Sequence, residues 1–279
     1  MEPNHPVYAF LLTALAGLCT GIGSVLAFFT HRTNRNFLAG SMGFSAGVMI
    51  YISMVEILPK GRISLAAAWG DKTGAWAAVL AFFGGMALMA VIDKLVPAPE
   101  NPHEQHAVEE IDSYGPDRPR KLQDPAVSAH MLRMGLFTAL AIGIHNFPEG
   151  MATFVVALRE PTMGMAIAFA IAIHNIPEGI AVSVPIFYAT GSRRRAFLYS
   201  FLSGVAEPVG AAVGGVFLIR YVGDALFGVL FASVAGIMVF ISLDQLLPTA
   251  EKYGEHHLCT YGLVAGMALM AVSLMLFMK

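Results

Sequence analysis

The feature that most constrains this chain is a succession of eight apolar runs. Each is long enough to cross the hydrocarbon core of a bilayer as a helix. They fall at about 7–29, 37–58, 74–95, 130–157, 162–189, 194–219, 223–248 and 258–278. A spanning helix needs roughly 20 apolar residues, and in lipid every backbone polar group must be bonded within its own segment. Any one run alone would also fit a buried helix of a soluble protein, but eight leave too little chain to cover them. Only 13% of the 279 residues are charged, against about 25% in a soluble domain. The expected fold class is an all-α integral membrane protein with eight transmembrane helices, in one transmembrane domain over 1–279.

The connections set the expected orientation. The first run has no Lys or Arg before it, whereas a signal peptide starts basic, so it reads as a retained helix. Residues 96–129, VPAPENPHEQHAVEEIDSYGPDRPRKLQDPAVSA, form the one long hydrophilic connection. Their Pro and charge content predicts a disordered loop. His103 and His106 lie in it and read as solvated residues rather than a metal site. Alternating the spans puts eleven Lys and Arg on one face, among them Arg193, Arg194 and Arg195, and six on the other. The basic-rich face is expected to be cytoplasmic, with both termini extracytoplasmic in a cell membrane. A net charge of −2 says nothing about partners, and no nucleic-acid partner is expected. Two cysteines, Cys19 and Cys259, are too few for a disulfide framework and argue against a thiolate metal site.

Two segments repeat. Residues 46–59, AGVMIYISMVEILP, align with 235–248, AGIMVFISLDQLLP. They lie five spans apart, so the copies cross the membrane in opposite directions. Spans one to three and six to eight therefore read as an inverted repeat, in a 3+2+3 arrangement. The central spans carry the second pair, IHNFPEG at 144–150 and IHNIPEG at 173–179. Inverted repeats are common in transporters, whose sites lie near the bilayer midplane where helices are broken.

The central pair bears the chemistry. On a helix, residues four apart share a face, so His145 points with Glu149 and His174 with Glu178. Asn146 and Asn175 lie about 100° round. Pro148 and Pro177 each remove a backbone donor and predict a kink. A carboxylate at bilayer depth costs about 2.5–3.5 kcal/mol or more, and neither motif has a Lys or Arg within a turn. Two antiparallel copies gather two His, two Asn and two Glu. Carboxylates that close repel unless one is protonated or a cation lies between them. Imidazole with carboxylate and no thiolate suits Zn²⁺, Fe²⁺, Mn²⁺, Co²⁺ or Ni²⁺. Glu207, mid-span and beside Pro208, adds a third buried acid. Glu56, Asp244 and Gln245 lie nearer the span ends and rank below it, as interfacial or vestibule residues. The sixteen methionines read as packing.

At these motifs the chain resembles the ZIP family of divalent metal transporters, closest to its bacterial ZupT-like branch. YATGSRRRAF, SGVAEPVG and the two copies ending in LP extend the resemblance over nearly the whole chain. It implies eight helices, extracytoplasmic termini, a homodimer and metal uptake into the cytoplasm by alternating access. It also implies a binuclear centre. One site would use His145, Glu149, His174 and Glu178. The other would use Asn146, Asn175 and Glu207, with Glu149 and Glu178 bridging. The transported ions, substrates rather than cofactors, would be Zn²⁺, Fe²⁺, Mn²⁺, Co²⁺ or Cd²⁺. His103 and His106, or His256 and His257 between the last two spans, are candidate cytoplasmic receivers. A metal-selective channel and an exporter share most of these features. An intramembrane metalloenzyme needs an activated water, yet HEXXH is absent and no Ser or Cys stands beside a conspicuous base, so no enzyme is expected.

Overall fold

The computed structural model describes residues 5–29, 35–95, 125–218, 223–253 and 256–277. The elements are α1 (His5–Phe29), α2 (Arg35–Ile52), α3 (Leu58–Trp69), α4 (Asp71–Leu95), α5 (Pro125–Arg159), α6 (Pro161–Thr190), α7 (Arg193–Val213), α8 (Asp224–Ile241), α9 (Leu247–Tyr253) and α10 (His256–Phe277). Single π-helical turns, Ser53–Ile57, Gly214–Leu218 and Ser242–Leu246, follow α2, α7 and α8. The units Ala39–Trp69 and Asp224–Glu251 run through their π turns, and seven units among the described residues are long and apolar enough to cross a membrane. Beside them stands α5, a 35-residue helix that carries the first His–Asn–Phe–Pro–Glu–Gly segment. Among the described residues there is no strand, and the chain is an all-α membrane protein. Leu11, Leu15, Leu18 and Ile22 form an exposed apolar stripe down α1, as a face turned to lipid requires.

Two expectations need correction. The span predicted at 37–58, with a loop over 59–73, continues as helix to Trp69 and turns at Gly70, whose φ of 84° suits a glycine. A π turn precedes Pro59, which falls in the first turn of α3, where a missing donor costs little. The span predicted from 130 starts at Pro125, inside the stretch assigned to the 96–129 loop. Residues 96–124, with His103 and His106, lie outside the described residues. α5 and α6 carry Pro148 and Pro177 within continuous helices. Hydroxyl groups supplement the backbone around them: Thr153 Oγ1 donates to Glu149 O at 2.9 Å, Ser45 Oγ to His174 O at 3.4 Å and Ser200 Oγ to Gly179 O at 3.2 Å.

The helices sort into two packed groups. α5 and α6 pack on each other, on α1 and on α7, giving a four-helix bundle. The second group joins α2 to α10, and α3 and α4 to α8. The groups meet mainly where α2 and α10 lie on α6 and where α8 lies on α5.

Within the bundle, packing obeys the two-fold relation suggested by the sequence. Asn146 of α5 donates to Ser203 O of α7 at 3.3 Å, and Asn175 of α6 donates to Ala16 O of α1 at 2.9 Å. Gly150 lies against the backbone of Glu207, where an added Cβ would stand 2.2 Å from its carbonyl oxygen. Gly179 lies against Thr20 in the same way, at 1.9 Å. The motif glycines thus allow backbones to touch, as small residues do at membrane helix interfaces. The pairing makes α7 the counterpart of α1 and Glu207 the counterpart of Thr20.

Candidate metal centre

All seven predicted site residues are buried in the four-helix bundle: His145, Asn146 and Glu149 on α5, His174, Asn175 and Glu178 on α6, and Glu207 on α7. None exceeds 4% exposure. The polar contacts run between helices rather than along them. His145 Nε2 lies 3.2 Å from Glu178 Oε1, and His174 Nε2 lies 3.3 Å from Glu149 Oε1. The antiparallel pair of motifs thus exchanges partners, each histidine meeting the other helix's acid. Asn175 Nδ2 also donates to Glu207 Oε1, which ties the third acid to the cluster. Asn146 differs, since its amide nitrogen bonds the α7 backbone and no acid.

The donors outnumber their partners. Both oxygens of Glu149, one each of Glu178 and Glu207, the Nδ1 atoms of both histidines and the Oδ1 atoms of both asparagines make no hydrogen bond. Buried polar atoms are normally satisfied, and an orphan asks for an explanation. Here the orphans are carboxylate, imidazole and amide atoms, all competent metal donors. Among the described residues, no three His, Cys, Asp or Glu side chains stand at metal-holding geometry. The side chains are paired with one another, and an ion shared by these donors would have to exchange those pairings for its own bonds.

The surroundings of the cluster are unequal. A small cavity of about 80 Å³ begins at His145 and Glu178 and continues past Ala181, Pro185, Met42 and Thr138 to Thr249. It leads toward the face that carries Arg193–Arg195. Gln245, from the π turn between α8 and α9, also lines it, is buried, and has no partner for its Nε2. On the other side, Glu149 meets Ile52, Ile57, Ile167, Ile171, Phe231 and Met238, with only about 10 Å³ of space between them. A water needs at least that much room and polar partners besides, so this side is sealed. Sequence reasoning ranked Gln245 with the vestibule residues. Its alignment with Glu56 was the available signal that it faces the route.

The sequence pattern described as ZIP Zinc transporter matches residues 97–274. The chain belongs to the ZIP zinc transporter family. Relatives resemble this ZIP chain from end to end. The protein named Zinc transporter ZupT in Streptococcus mutans is 58% identical over 274 residues, 98% of this chain and 99% of that one. Its namesake in Nitratidesulfovibrio vulgaris is 59% identical over 278 residues, the full length of both. That of Chlorobaculum parvum is 58% identical over 274 residues, 98% of each. The ZIP family is one of transporters and not of enzymes, which agrees with a cluster whose His, Asn and Glu residues are duplicated about a two-fold axis. His256 and His257 are exposed at the start of α10, far in sequence from the cluster, and His256 Nδ1 lies 2.8 Å from Glu251 Oε1.

Proposed function

We propose that the chain carries divalent transition-metal ions, zinc foremost, across a cell membrane into the cytoplasm. His145, Glu149, His174 and Glu178 would hold the ion, with Asn146, Asn175 and Glu207 completing a second, adjoining position bridged by Glu149 and Glu178. The observation that carries this reading is the pair of crossed His–Glu contacts at 3.2 and 3.3 Å, buried together with orphaned carboxylate oxygens. The names of the relatives support zinc as cargo. The donor set also suits iron, manganese, cobalt and cadmium.

Alternating access would move the four-helix bundle against the second group. The sealed side at Glu149 and the cavity at Glu178 support an inward-facing state, if the face of Arg193–Arg195 is cytoplasmic. Both termini would then be extracytoplasmic, and residues 96–124 would be a cytoplasmic connection within a single domain. A homodimer fits the exposed apolar faces of α4 and α10. An exporter would use the same centre. A channel would need both sides open together, which the packing around Glu149 disfavours.

Uptake of radioactive zinc into proteoliposomes tests the reading. Wild type should show saturable uptake, and Glu149→Ala with Glu178→Ala should abolish it. Equal flux from both proteins would sink the site assignment.

A further inference from the structure

Two of the three described π turns occupy matching places in the inverted repeat. Ser53–Ile57 precedes Pro59 and Ser242–Leu246 precedes Pro248. Aligning 46–59 with 235–248 sets Glu56 opposite Gln245. π turns inserted in helices often mark functional positions. Gln245 faces the cavity it shares with His145 and Glu178. Glu56 stands toward the other face, and a cation of the protein itself holds it. Lys60 Nζ lies 3.2 Å from Glu56 Oε1 and pairs also with Glu160, in the turn between α5 and α6. Lys60 and Glu56 are largely enclosed, at 20% and 15% side-chain exposure. The neighbouring Arg159 pairs with Asp224 at 3.1 Å and lies 4.2 Å from the Phe227 ring centre. The tip of the four-helix bundle is thus tied to α3 on one side and to α8 on the other, on the face where Glu149 is sealed.

We propose that Lys60 is a tethered competitor for the incoming cation. Its ammonium closes the outer side by joining Glu56 to Glu160. Glu56, the repeat partner of Gln245, is the carboxylate that meets the divalent ion once Lys60 is displaced. This rests on the transport reading above. Tethering gives the ammonium a high effective concentration at its acids, so a free monovalent cation competes poorly. A divalent ion has twice the attraction to the same acids, and Lys60 therefore filters cations by charge.

The test measures zinc uptake by full-length protein in liposomes, with zinc binding to the detergent-solubilised protein followed by equilibrium dialysis. Lys60→Gln should lower the KM for zinc about three- to tenfold and leave binding at the central site unchanged. Lys60→Arg should keep the wild-type KM. Glu56→Gln added to Lys60→Gln should raise the KM again, to the wild-type value or above. If Lys60→Gln does not fold, seen as lost zinc binding, Lys60→Met, which keeps the apolar stem, replaces it. An unchanged KM in the neutral variants, or an equal shift in Lys60→Arg, overturns the proposal. So does a lowered KM that survives Glu56→Gln. Failure of the underlying transport reading looks different: flux would then persist in Glu149→Ala with Glu178→Ala.

Discussion

Replacing His145 with Ala probes the logic of the crossed pairs without relying on transport. His145 and Glu178 are 4% and 2% exposed, and their contact is 3.2 Å. Glu178 Oε2 already lacks a partner, so His145→Ala leaves both oxygens unbonded in an apolar interior. Removing one member of a buried pair costs about 3–5 kcal/mol. In a chain of this size each kcal/mol moves the unfolding midpoint by roughly 2–4 °C, so a fall of roughly 6–20 °C is expected. Removing both charges should cost much less, because pairs replaced by packed apolar groups are often neutral. His145→Leu with Glu178→Met is therefore predicted to be more stable than His145→Ala, yet equally unable to bind zinc. Thermal unfolding in metal-free detergent, followed by circular dichroism at one scan rate, gives the stabilities, and equilibrium dialysis gives the binding. The reasoning fails if His145→Ala unfolds within a degree of wild type, or if the double variant is the less stable of the two.

Other consequences follow from the same geometry. Gly179→Val forces a side chain onto the Thr20 carbonyl, where an added Cβ already stands at 1.9 Å. It should cost at least the roughly 1–3 kcal/mol of an overpacked core, readable as reduced yield and a lowered unfolding midpoint. Glu207→Gln removes a carboxylate while leaving an amide oxygen to accept from Asn175. It should therefore fold normally and lower the number of zinc ions bound per chain in equilibrium dialysis, whereas an unchanged stoichiometry would exclude Glu207 from the centre. Metal must displace protons from imidazole and carboxylate ligands, and the protonated forms are favoured by acid. Uptake should accordingly fall as the pH on the loading side drops from 7.5 to 5.5, measured as initial rates at fixed free zinc.

Much of this architecture was legible in the sequence because lipid imposes simple rules. Long apolar runs marked the spanning helices, and the expense of a buried carboxylate made the duplicated His–Glu motifs conspicuous. The spacing of four residues placed each His with its Glu on one face, but the contacts cross to the neighbouring helix. Helical period describes a single helix, whereas the crossing depends on the relative height of α5 and α6. Asn146 illustrates the same gap: both asparagines donate to a backbone carbonyl of a neighbouring helix, but only Asn175 also reaches an acid, because α7 supplies Glu207 where α1 supplies Thr20. The π turns were hidden for a different reason. A proline after an apolar run ordinarily ends a helix, yet here a π turn precedes Pro59 and the chain continues to Trp69. The tie between Lys60 and Glu160 joins residues a hundred positions apart, beyond the reach of any local pattern.

The central claim is that Glu149 and Glu178, from adjacent antiparallel helices, share a metal ion with His145 and His174. Anomalous scattering at the zinc edge from crystals soaked in zinc tests it most directly. The account predicts a peak between the two carboxylates, with imidazole nitrogens at about 2.0–2.1 Å from the metal. A peak confined to exposed histidines such as His256 and His257, with Glu149 and Glu178 still paired to imidazoles, would contradict it.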